Sequence, residues 1–63
     1  MKAVIKIKGD GSGSISAAGA SDKFKRVGAD ASEQIGWKRG KKLRVEVEDA
    51  ERWAVHGGRL DYD

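Results

Sequence analysis

The stretch SDKFKRVGADASEQIGWKRGKKLRVEV, residues 21–47, decides the fold. Its last part reads most plainly. Leu43, Val45 and Val47 alternate with Arg44, Glu46 and Glu48, and strict period two marks a strand with one buried face. The spacing predicts a central strand there. Upstream, Phe24, Gly28, Ala31 and Ile35 recur at helical spacing, with Val27 beside them. Lys23, Lys25, Arg26, Asp30 and Glu33 fall mostly on other sides. Ser21 suits an N-cap, Asp22 the positive end of a helix and Gly36 a stop. The preferred expectation is therefore one helix from Ser21 to Gly36. Gly28 would then lie in its interior, at a cost of about 1 kcal/mol against alanine, compensated by close approach to a sheet. A second parse starts from Asp30 and Glu33, which have the spacing of a capping box. It makes Lys23–Val27 a strand and leaves only Ala31–Gly36 helical.

Between helix and strand lies Gly36-Trp37-Lys38-Arg39-Gly40-Lys41-Lys42, two glycines and four cations in seven residues. This is a turn rather than core. A tryptophan in it can stack on a base or anchor a protein interface. It can also fold back as a lid over the helix end and the sheet.

Outward from this centre the chain reads as added sheet. Ala3, Ile5 and Ile7 alternate with Lys2, Lys6 and Lys8 to give a first strand with a lysine-lined outer face, a pattern that also protects sheet edges. Residues 9–13 form a glycine-rich turn without the lysine and helix of a phosphate-binding loop. Ser14–Ala18 makes a weak second strand. After the strong strand, Glu48 to Glu51 turns the chain, and Arg52–His56 returns with Trp53 and Val55 inward. Gly57-Gly58 signals a hairpin, and Arg59–Tyr62 is a short last strand with Leu60 or Tyr62 covering the sheet edge. The expected fold is α+β: one helix packed on a small, mostly antiparallel sheet, order β-β-α-β-β with a fifth short strand, in a single domain of residues 1–63. The expected core is Ile5, Ile7, Ile15, Phe24, Val27, Ile35, Leu43, Val45, Val47, Trp53 and Val55.

A 63-residue chain buries only about 60% of the surface its unfolded form exposes. It has no cysteine and one histidine, which removes disulfides, thiolate chemistry and ordinary structural zinc sites. No apolar run approaches a membrane span or signal peptide, and the expected location is the cytoplasm. The net charge of +3 hides an asymmetry: residues 1–44 carry eleven Lys/Arg against four Asp/Glu, and residues 45–63 carry two against six. A basic half attracts phosphate or an acidic protein face, although ordinary solvated charge gives the same count.

Catalytic machinery is not evident. His56 reads as an exposed turn histidine, with no nucleophile or orienting group in sequence reach. Glu46, Glu48, Asp49 and Glu51 lack calcium-loop spacing and read as a solvated acidic turn. No enzyme activity, cofactor or metal is expected.

Two resemblances bear on function. Ile35-Gly36-Trp37-Lys38-Arg39-Gly40-Lys41-Lys42 and the alternating strand to Asp49 resemble the second half of swapped-hairpin transcription regulators and antitoxins. That resemblance implies an obligate DNA-binding dimer. Residues 15–62, from Ile15-Ser16-Ala17-Ala18 through Ser21, Lys25-Arg26 and the alternating strand to a Trp-bearing hairpin ending Gly-Gly-Arg, are similar to small phage-encoded accessory proteins, among them anti-CRISPR inhibitors. This second resemblance implies a non-enzymatic partner of a host protein or nucleoprotein complex, acting in the host cytoplasm as a monomer or homodimer. The partner-binding residues expected from these readings are Trp37, Lys38, Arg39, Lys41 and Lys42 in the turn, and Lys23, Lys25 and Arg26. On the long-helix parse the two groups sit at opposite ends of a helix roughly 22 Å long.

Overall fold

The computed structural model describes all of residues 1–63. Seven strands and one helix follow in the order β1 (Ala3–Ile7), β2 (Gly13–Ala17), β3 (Ala20–Phe24), β4 (Arg26–Val27), α1 (Ala29–Ile35), β5 (Leu43–Val47), β6 (Trp53–His56) and β7 (Arg59–Tyr62). A 3₁₀ turn, Ala50–Arg52, precedes β6. The fold is α+β, with mostly antiparallel strands, as the sequence leads one to expect. The strands divide into two sheets. One is a four-stranded antiparallel sheet ordered β3-β2-β1-β5, and the other is three-stranded, ordered β4-β7-β6, with β4 parallel to β7.

The long helix from Ser21 is not formed. Residues 20–24 are strand β3, paired with β2 through Ala17↔Ala20 to Gly13↔Phe24. The helix has only seven residues, and the short-helix parse is the one that matches. As a strand the segment pairs with β2, becomes the edge of the sheet in its place and still turns Phe24 into the buried cluster, so the core contact that suggested a helix is met without one. The chain then crosses from one sheet to the other at Lys25, whose amide donates to Gly58 O at 2.7 Å. The capping box does not form either. The N-cap is Gly28, without a side-chain cap bond, while Gly36 does close the helix in a left-handed conformation, its amide donating to Ser32 O.

Gly28 sits where two elements touch. Its amide donates to Leu60 O at 2.7 Å. A β-carbon there would come within 2.7 Å of both Leu60 O and Asp61 Oδ1, closer than real side chains approach. The close approach expected for this glycine exists, but at the entrance to the helix and against β7.

Both sheets turn an apolar face inward. Ile5, Ile7 and Phe24 from the first, Trp53 and Leu60 from the second and Ala31 from the helix form one buried cluster. Ile15, Val27, Ile35, Leu43, Val45, Val47 and Val55 pack on it half-buried. Of Leu60 and Tyr62, either of which could cover the sheet edge, Leu60 is 0% exposed in the core and Tyr62 is half-buried. One strand position differs from expectation, and one reading of the lysines lapses. β5 is an edge strand, paired only with β1, which is why its apolar face is half-buried; β1, with its lysines, is central and pairs on both sides.

Candidate functional site: a basic end and a basic sheet face

Register converts the charge asymmetry of the sequence into a polarity in space. Ile7 pairs with Leu43 and Gly13, and Gly13 with Phe24. The residues just beyond these pairs therefore gather at one end: Lys8, Ser12, Lys42 and Lys25. At the other end Ala3 pairs with Val47, which brings Lys2 and the N-terminus beside the acidic turn. There the terminal ammonium lies 3.4 Å from Glu51 Oε2, and Lys2 Nζ lies 4.0 Å from Glu48 Oε1.

The turn after α1 is folded onto the basic end. Gly40 N donates to Gly9 O at 2.8 Å, and an Arg39 Nη1 hydrogen bond reaches Asp10 O at 3.3 Å. The Trp37 indole Nε1 donates to Lys41 O at 2.8 Å, and the Ser32 hydroxyl donates to Trp37 O at 2.7 Å. The ring is half-buried, packed on the core cluster and against Gly11, where a β-carbon would meet Trp37 Cη2 at 3.4 Å. Of the two roles open to Trp37 in the sequence, the geometry is that of a lid. Lys38, Arg39, Lys41 and Lys42 remain exposed around it.

The second group of cations lies close to this turn. The same Gly11 position is 3.9 Å from the Arg26 Cα, and Lys23 and Lys42 line one open hollow of about 620 Å³ together with Lys6 and Lys8. The two patches separated by the long-helix parse are thus neighbours, because residues 20–24 run as strand. Lys23, Lys25 and Arg26 are exposed. None of the lysines and arginines of this end makes a salt bridge; the ion pairs of the chain are Met1–Glu51, Lys2–Glu48 and Arg59–Asp61. The acid of this region, Asp10, accepts from the Ser12 hydroxyl at 2.7 Å and the Ser12 amide at 3.0 Å. Those bonds hold its carboxyl below the usual range.

Sequence reasoning left three cations out of the site: Lys6, Lys8 and Arg44. Lys6 and Lys8 are visible as the polar phase of β1, but edge protection competes as an explanation. That explanation lapses once β1 is central. Knowing the partner strands, not the residue pattern, decides the matter.

The acidic end is structural. Asp49 accepts from Trp53 Nε1 at 3.3 Å and from the Tyr62 hydroxyl at 3.0 Å. The Tyr62 bond is the chief cause of a lowered Asp49 pKa, and it raises that of the phenol. His56 is exposed at the end of β6, beside the Gly57-Gly58 turn. No helix is long and apolar enough to cross a membrane. No protein-family model matches the chain, and no curated protein or solved structure matches it significantly.

Proposed function

We propose that this chain is a small non-enzymatic binding protein that docks through its basic end on a host protein or nucleoprotein complex, as a phage-type inhibitor of the anti-CRISPR kind would. One observation carries the reading: register and turn folding bring Lys38, Arg39, Lys41, Lys42, Lys25 and Arg26 to one end without an ion-pair partner, while the acidic turn with Glu48 and Glu51 lies at the other. Such a dipolar surface orients the molecule toward an anionic target and favours fast encounter. Trp37 supports the turn from beneath, so its contribution to binding is to hold the cations in place.

The test is capture of a host complex by tagged protein from a lysate, with and without nuclease, comparing wild type with Lys38→Glu/Arg39→Glu. Both positions are exposed. The turn loses only the Arg39 bond to Asp10 O while keeping Gly40 N to Gly9 O and Trp37 Nε1 to Lys41 O. Circular dichroism should therefore show the fold unchanged, and capture should fall at least tenfold. Wild-type capture by the double variant would refute the assignment of the turn. A second reading, direct binding of nucleic acid, draws support from the cations that also occupy the open face of the four-stranded sheet.

A further inference from the structure

The outward face of the four-stranded sheet carries a cross-strand row. Lys23 pairs with Ser14, Ser14 with Lys6, and Lys6 with Arg44. All four therefore share one face, and Lys23, Lys6 and Arg44 are exposed. Strands lie about 4.8 Å apart, so the row is roughly 14 Å long. Lys8 and Lys42 extend it toward the basic end and line the same hollow. None of these five cations is in a salt bridge.

From this geometry we infer that the sheet face is a binding surface for the phosphate backbone of a nucleic-acid duplex, held without regard to sequence. The inference rests on the nucleic-acid reading of the basic surface and names its ligand. A duplex carries one phosphate per about 1.7 Å of axis. A 14 Å length thus presents roughly eight phosphates, about half of them on the facing side, against five cations. Single strands fit less well, because proteins that hold them supply aromatic rings for the bases to stack on, and this face has none. Phe24 reaches the floor of the hollow but is only 3% exposed, too little for a base to stack on, Trp37 is turned inward, and Trp53 and Tyr62 belong to the other sheet. Four strands abreast are too wide for a major groove that admits a two-stranded ribbon, so the lysines and the arginine of this face meet phosphates rather than base edges. Glu46, paired with Val4 in the next row, sets the limit of the surface toward the acidic end.

Fluorescence anisotropy with a labelled 20-base-pair mixed-sequence DNA duplex and its single strand tests the proposal. Duplex affinity should exceed that for the single strand. It should also fall by about 100- to 500-fold between 50 and 200 mM salt, as expected for four to five released counterions. The variant Lys6→Gln/Lys23→Gln/Arg44→Gln, its fold checked by circular dichroism, should bind at least tenfold more weakly with a shallower salt slope. Preference for the single strand, unchanged binding by the triple variant, or no duplex binding at 50 mM salt would each overturn the proposal. If Lys38→Glu/Arg39→Glu alone abolishes duplex binding while the triple variant binds normally, nucleic acid sits on the turn. The sheet assignment then fails although the nucleic-acid reading stands. Capture of a protein complex in the absence of any duplex binding would leave the docking reading standing and end this one.

Discussion

At the scale of single residues, the backbone makes one demand the sequence meets poorly. The β2–β3 hairpin turns through Ala18 and Gly19, both at positive φ, 52° and 80°. Such a two-residue turn favours Asn-Gly, since a β-carbon in the left-handed region costs about 1–2 kcal/mol. Ala18→Asn should therefore raise stability by roughly 0.5–1 kcal/mol, read as a higher urea midpoint with unchanged slope; a lower midpoint would contradict the turn. This same turn explains what the sequence concealed. Ala17 to Ala20 is a run of small residues without a strong turn signal, so the hairpin was not legible and Ser21 read as a helix cap. The Gly57-Gly58 turn, with φ of 58° and 76°, was legible because both residues are glycine. Gly28 is a middle case: its closeness to a sheet could be expected, but its partner, Leu60 O, lies thirty-two residues on and leaves no local trace.

At the scale of elements, alternation proved a better guide than helical spacing. β5 has five residues with strict period two and β1 the same alternation broken only at Val4, a phase that a helix does not imitate. Phe24, Gly28, Ala31 and Ile35 gave a helical phase, yet Phe24 points inward equally well from a strand. Only the last part of the segment is helical. One device holds the end of β5 and the 3₁₀ turn to the second sheet: Asp49, accepting from Trp53 and Tyr62. The rings meet edge to face at 4.7 Å, and the Arg52 guanidinium lies 5.3 Å from the Tyr62 centroid. The pH dependence follows from the two shifts. The Asp49 pKa is lowered in the fold from 3.8, so its stabilising effect is present above that value and is lost as pH falls through the folded pKa. The phenol's is raised from 10.0, so its effect is present below 10.0 and is lost as pH rises through the folded pKa. Tyr62→Phe should lower stability at neutral pH and flatten both limbs of the stability–pH curve. Parallel curves for the variant and wild type between pH 2 and 11 would show that the bond carries neither limb.

At the scale of the whole molecule, the charge polarity and the assembly state remain to be joined. The asymmetry between residues 1–44 and 45–63 is plain in the sequence, but its arrangement as opposite ends needed the antiparallel register. A swapped-hairpin dimer would build its sheet from two chains. Here β1 already has both its neighbours, β2 and β5, in its own chain, and the cluster of Ile5, Ile7, Phe24, Ala31, Trp53 and Leu60 is closed within one copy. The Cα radius of gyration, 10.2 Å, matches the roughly 10.6 Å expected of a compact chain this long. The cations also oppose self-association at the basic end, where two copies would face like charge. The expected species is a monomer of 6.8 kDa. Light scattering and small-angle X-ray scattering over a dilution series should give that mass and a radius independent of concentration, with no change when salt is raised to 0.5 M. A doubled mass that persists to the lowest concentration and is lost only on unfolding would require strands exchanged between chains. The basic row of the sheet would then have to be redrawn across two copies.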